Sequence, residues 1–223
     1  TKEGKAILNN FLFKIAKCSP DWTAGNFINE QISLIKEKVG DKKVLVGVSG
    51  GVDSTVVAAL LHTAIGPNAI AVLIDHGLLR KNEAKDCVNA LQNGLGVNIN
   101  SFDESESFLS KLLGITNPEQ KRKIIGNEFI FSFERIAKSL GEIDFLAQGT
   151  LYPDIVESGF SKGKKAQVIK SHHNVGGLPE EMDFKLIEPL KELFKDEVRK
   201  VGIELGLPAS LIQRHPFPGP GLG

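Results

Sequence analysis

Lys43 to Val48 reads Lys-Val-Leu-Val-Gly-Val and runs straight into Ser49-Gly50-Gly51-Val52-Asp53-Ser54-Thr55. An apolar helical stretch, Val56 to Ile65, follows and is closed by Gly66-Pro67. A short β-branched run, apolar on both faces, is how a buried parallel strand reads. Glycines between such a strand and a helix let backbone N–H groups approach an anion, and the helix N-terminus adds partial positive charge. The segment therefore predicts a strand–loop–helix unit that cradles phosphate.

The rest of the chain repeats the alternation. Thr23 is placed to cap a helix carrying an apolar stripe of Ile28, Ile32, Ile35 and Val39, stopped by Gly40. Strands are expected at Ala69 to Ile74, Val97 to Phe102 and Asp144 to Gln148, and helices at Glu83 to Leu91 and Leu190 to Leu205. Asn117-Pro118-Glu119-Gln120 is a helix start, with a capping Asn and Pro at the first helical position, and the helix runs to about Leu140 before Gly141. Alternating strands and helices imply right-handed crossovers. The expected fold is α/β, an open doubly wound parallel sheet with flanking helices, its ligands beyond the carboxyl ends of the strands. Residues 158–184 show no period and many lysines and glycines; a loop of that length reads as a lid.

Composition removes several alternatives. Of 223 residues, 41% are hydrophobic and the formal net charge is zero, so no nucleic-acid groove or membrane-surface patch is expected. Cys18 and Cys87 form no C-x-x-C pair, which argues against a zinc ribbon and reads as two buried or half-buried thiols in a reducing compartment. No apolar run has membrane-span length, and a cytoplasmic protein is the default. The chain starts at Thr1, its single methionine is Met182, and it ends in a proline- and glycine-rich run, His215 to Gly223. The expected organisation is a lead-in linker over 1–20, a nucleotide domain over 21–214 with a lid at about 158–184, and a linker over 215–223 toward a further domain, in a piece of a longer polypeptide.

The loop lacks the lysine of the GTPase-type pattern G-x-x-x-x-G-K-S/T. Ser49, Ser54 and Thr55 carry hydroxyls able to donate to phosphate oxygens. Asp53 beside phosphates demands a cation between them, so it reads as a magnesium ligand. A lysine-free S-G-G-x-D-S loop resembles the ATP pyrophosphatase superfamily, whose members split ATP to AMP and pyrophosphate. Phe145 to Ser158, Ile169 to Pro179, Ile187 to Arg199, Lys121 to Gly126 and Arg214 to Leu222 resemble the GMP synthetases in particular, and the resemblance covers essentially the whole chain.

That resemblance implies ATP and Mg2+ as cofactors and xanthosine monophosphate and ammonia as substrates. Ser49 to Thr55, Gly149 and the Ile74 backbone would hold ATP. Lys170, His172 and His173 in the lid would act in catalysis, with Asp154 and Glu157 placing magnesium or a lid cation. A lysine can neutralise charge on the departing pyrophosphate and a histidine can move a proton. Arg122, Lys195 and Asp196 would contact the substrate nucleotide. Read alone, Asp154 and Glu157 are an acidic turn, Lys195 and Asp196 a surface pair, and Arg122 an exposed helix charge. The chain shows no amidotransferase signature, so ammonia would come from a separate domain or subunit or from free ammonium, and the longer protein would be a homodimer. Other ATP pyrophosphatases are the nearest rivals. A thiolating enzyme would want a cysteine near the loop, where neither Cys18 nor Cys87 is expected. A nucleotide-binding regulatory module would not need Asp53, Asp154 and Lys170 together.

Overall fold

The structure, a computed structural model, describes residues 2–159, 184–215, 217 and 219–223. Lys170, His172 and His173, and most of the expected lid, lie outside the described residues.

Five strands form one parallel sheet: β1 (Val44–Gly47), β2 (Ala69–Asp75), β3 (Ile99–Asp103), β4 (Phe145–Ala147) and β5 (Lys185–Ile187), in spatial order β3-β2-β1-β4-β5. Val44 lies opposite Ala69 on one side and Phe145 on the other. The chain builds outward from β1 through β2 to β3, then returns to the far side of β1 as β4. The order therefore reverses between β1 and β4, which opens a crevice above their carboxyl ends.

Alternation along the strands fills two cores. Val44, Val46, Ala71, Leu73 and Phe145 face helices α2 (Ala24–Val39), α3 (Val52–Ile65) and α8 (Lys195–Glu204). Leu45, Ile70, Val72, Ile74 and Leu146 face α5 (Ser105–Leu112) and α6 (Pro118–Ser139) through Phe108, Ile125, Phe133 and Ile136. Both faces being covered is what makes the strands apolar throughout. Helix α3 is sandwiched so completely that nine of its residues are buried. Each large apolar side chain so buried contributes roughly 1.5–3 kcal/mol.

The caps follow the sequence: Thr23 Oγ1 accepts from Asn26 N at 3.0 Å, and Asn117 Oδ1 from Gln120 N at 3.0 Å. Several boundaries differ from expectation. Helix α3 begins at Val52, inside the loop motif. Helix α4 (Glu83–Val88) continues as a π-helical stretch, Asn89–Asn93, with Leu91 buried inside it. Strand β5 was not expected; three residues at a sheet edge carry too little pattern. The last long helix starts at Lys195 rather than Leu190, because Leu190 and Leu193 anchor a buried turn whose carbonyls serve other partners: Leu193 O accepts from Tyr152 N at 3.1 Å. Two further short helices are α7 (Tyr152–Gly159) and α9 (Ala209–Ile212).

Residues 1–20 contain a helix, α1 (Gly4–Asn9), continued as a π-helix, Asn10–Ile15, with no buried residue in either. Cys18 is exposed, and only Cys87 is buried. Trp22 and Tyr152 are half-exposed, Trp22 beneath Lys200 and Tyr152 tilted against Phe194. The proline- and glycine-rich end docks rather than projecting: Leu222 N donates to Leu78 O at 2.8 Å, and the Arg80 guanidinium lies 4.3 Å from the Phe217 ring centre.

Candidate nucleotide site

The loop leaves β1 after Gly47, turns at Gly50 with φ +72°, and enters α3 at Val52. It lies at the reversal point of the sheet, and the N-terminus of a 14-residue helix points into the crevice. Its hydroxyls hold the turn together. Ser49 N donates to Ser54 Oγ at 3.2 Å, Gly51 N to Ser49 Oγ at 3.3 Å, and the Ser49 and Ser54 hydroxyls lie 3.3 Å apart. Ser54 Oγ donates to Gly51 O at 3.2 Å. Thr55, expected to reach phosphate, is instead buried and donates to Gly51 O at 2.7 Å. One turn into α3, its side chain points back at the loop, so it shapes the cradle from behind. Val52 likewise packs into the core and can offer only its backbone.

Gly149 closes the other wall. A Cβ there would stand 3.1 Å from Asp53 Cβ and 3.3 Å from Ser54 N. Glycine is needed because the chain leaving β4 presses against the first turn of α3. The segment 148–152 is then zipped to 187–193: Gln148 N donates to Ile187 O at 2.9 Å and Thr150 Oγ1 to Glu188 Oε1 at 2.6 Å. That zip delivers Lys195 to the loop. Its Nζ donates to both Asp53 carboxylate oxygens, at 2.6 and 2.5 Å.

On the opposite flank, Arg214 and Glu83 form a buried ion pair beside Gly50, whose Cβ would lie 3.1 Å from Arg214 Nη2 and 3.3 Å from Glu83 Oε1. Glu83 also accepts from Arg80 N at 2.9 Å, and Arg80 donates to His215 O at 3.2 Å. Two cations and two carboxylates thus bracket the loop. Sequence reading singled out neither Glu83 nor Arg214 as partners; they lie 131 residues apart, and no local pattern pairs them.

β1 pairs with β2 only as far as Val72, so Ile74 runs past the end of β1 at the crevice with its side chain buried. Asp154 and Glu157 share α7; the Asp154 carboxylate accepts from Leu151 N at 2.8 Å, and Glu157 is exposed. Asp196 is exposed in the first turn of α8. Arg122 is on the exposed face of α6, forked onto Glu119 at 3.0 and 2.8 Å. The Arg122 hydrogen bonds hold the Glu119 carboxyl below its usual range. A guanidinium so displayed has the fork that matches an anion bidentately.

Cys87 corrects an expectation. It lies behind the loop against Thr55, not remote from it. Burial pushes its thiol up to about 11, opposed by the Thr55 hydroxyl, so no thiolate forms near neutrality. His76 is buried against Phe108, its Nδ1 accepting from Leu78 N at 3.2 Å. Desolvation lowers its pKa, against the opposing pull of Asp75 and Glu83. Among the described residues, no helix is long and apolar enough to cross a membrane, and no group of three or more His, Cys, Asp or Glu side chains converges on a metal position.

The NAD synthase family model matches residues 25–125. The chain is 57% identical over its full 223 residues to a GMP synthase (glutamine-hydrolyzing) of Teredinibacter turnerae, and 58% identical over 222 residues to that of Carboxydothermus hydrogenoformans. It spans 42% and 43% of the length of those two relatives. Among solved structures it resembles an NMN synthetase from Francisella tularensis, with TM-score 0.65 and 16% identity over 91% of this chain and 79% of that one. It also resembles an NH3-dependent NAD synthetase from Campylobacter jejuni, with TM-score 0.61 and 17% identity over 86% and 77% of the two chains. The solved structures speak to the fold alone, whereas the GMP synthase likeness runs the length of the sequence. The chain is thus similar over its whole length to GMP synthases of which it spans less than half, and it shares the fold of the NMN and NAD synthetases.

Proposed function

We propose that this chain binds ATP on the Ser49–Thr55 loop and activates xanthosine monophosphate for amination to GMP. The observation that carries the reading is the lysine-free loop at the reversal point of the sheet, with a carboxylate, Asp53, facing the place where phosphates would lie. The full-length similarity to GMP synthases supports the choice of substrate.

The 2-oxo group of xanthosine monophosphate attacks the α-phosphorus of ATP, the bond to the β-phosphate breaks, and pyrophosphate leaves. Backbone N–H groups of Gly50 to Val52 and the α3 N-terminus stabilise the charge that develops on the phosphates. Asp53 is the residue that would hold Mg2+, which supplies charge neutralisation between carboxylate and phosphates. Its acceptor-only oxygens suit a hard cation, and one cationic partner already sits on them. Lys170 would neutralise the leaving pyrophosphate. Ammonia then attacks C2, AMP leaves with the former 2-oxo oxygen, and His172 or His173 takes up the proton lost from nitrogen. The Ile74 backbone and Gly149 line the ATP site, Asp154 and Glu157 would place magnesium or a lid cation, Arg122 would grip the 5′-phosphate of the substrate nucleotide, and Lys195 and Asp196 would order the lid or contact that nucleotide. Ammonia would come from a glutamine amidotransferase domain or subunit, and the longer protein would be a cytoplasmic homodimer.

The test is release of AMP and pyrophosphate from ATP with Mg2+ and ammonium, with and without xanthosine monophosphate, in this chain and in a version extended past Gly223. Release that depends on xanthosine monophosphate and is abolished by Asp53→Ala is expected. ATP binding without any such release in either form overturns the reading in favour of another ATP pyrophosphatase or a non-catalytic nucleotide module.

A further inference from the structure

The Asp53 carboxylate is already occupied by a cation. Lys195 Nζ stands 2.6 Å from one oxygen and 2.5 Å from the other. The contact is built from both sides. Gly149 passes close to Asp53, with room for no side chain of its own: a Cβ there would stand 3.1 Å from Asp53 Cβ. Lys195 is the first residue of α8, which is fixed by Phe194 N donating to Glu197 Oε2 at 2.8 Å and by Gly202 packed directly on Val56 of α3. Rigid elements therefore fix the backbone from which each side chain reaches the other, in a pair that stays partly exposed, Lys195 at 41% and Asp53 at 28%.

A magnesium ion binds carboxylate oxygen at about 2.1 Å. On either Asp53 oxygen it would lie less than about 5 Å from Lys195 Nζ, with both positive charges facing one carboxylate. Among the described residues no other cluster of acidic or imidazole ligands converges to offset that repulsion. The metal needs additional oxygen ligands, and nucleotide phosphates supply them.

We infer that Lys195 is a resident counter-ion for Asp53, which keeps the divalent cation off the empty loop and makes metal binding conditional on nucleotide. When metal arrives with phosphates, the ammonium leaves Asp53 and turns to the phosphate oxygens, so one lysine serves both states. The inference rests on the proposal that Asp53 is the metal ligand, but not on the identity of the nucleotide acceptor.

The test is Mn2+ binding to the nucleotide-free full chain, followed by the loss of the free-ion electron paramagnetic resonance signal. Lys195→Met and Lys195→Gln should each bind Mn2+ about tenfold more tightly than the unaltered chain, the size of an ordinary coupling between sites. Lys195→Arg should stay weak, and adding Asp53→Asn to Lys195→Met should erase the gain. Unchanged affinity in both neutral variants, or a gain that survives Asp53→Asn, overturns the inference. Failure of the xanthosine monophosphate assay would leave this comparison untouched, so the two proposals fail separately.

Discussion

Gly149 decides how close the end of β4 can come to the phosphate loop. A methyl group there would stand 3.1 Å from Asp53 Cβ and 3.3 Å from both Asp53 C and Ser54 N, and two of these three neighbours are backbone that cannot rotate away. Overpacking of this kind costs about 1–3 kcal/mol. Here part of that cost is relieved by displacing the first turn of α3. Gly149→Ala is therefore expected to weaken ATP binding by roughly tenfold, equivalent to about 1.4 kcal/mol. Isothermal titration with ATP and urea unfolding of the same variant check the two effects. A variant with unaltered ATP affinity would show that the loop does not depend on this wall.

Helix α8 carries Lys195 at one end and Gly202 in its interior. Gly202 stands where α8 crosses α3, and a Cβ would come within 2.5 Å of Ile212 Cδ1 and 2.9 Å of Val56 Cγ2. A glycine inside a helix is itself unfavourable by roughly 0.5–1 kcal/mol relative to alanine. Close approach of the two helices is the reason it stands here. Gly202→Ala should gain helix propensity yet lose stability overall, by about 1–2 kcal/mol, because the crossing must open. Urea denaturation measures the net sign. Because α8 moves as a unit, the same change should loosen the Lys195–Asp53 contact and raise Mn2+ uptake in the nucleotide-free state.

At the scale of the whole molecule, Glu83 and Arg214 join the C-terminal segment to the phosphate loop. Their side chains are 3% and 16% exposed, so removal of one leaves the other charge with little water. Breaking a buried pair from one side costs about 3–5 kcal/mol, whereas replacing both partners is far milder. Arg214→Met is expected to fall near the lower end of that range, since Arg214 keeps some exposure. The double variant Glu83→Gln with Arg214→Met should recover most of the loss. Urea unfolding of the single and double variants separates a true pair from two independent effects.

Sequence alone determined the elements that rest on local chemistry. The apolar runs at β1, β2 and β4, the Thr23 and Asn117 caps and the glycine-rich turn before α3 depend on residues within a few positions of one another, and their periods and caps are written in order along the chain. The alternation of these elements also specified a parallel doubly wound sheet. Tertiary structure decided the rest, because it depends on residues distant in sequence meeting in space. Lys195 and Asp53 lie 142 positions apart and Arg214 and Glu83 lie 131 apart, so no spacing rule reveals that each cation sits on a carboxylate at the loop. Thr55 serves as a support and not as a phosphate donor, and Cys87 as a neighbour of the loop, because the face of helix α3 that carries Thr55 is buried against protein. The start of α8 shifted to Lys195 because the turn before it binds the start of α7, a competition for backbone hydrogen bonds that exists only once the two segments are side by side.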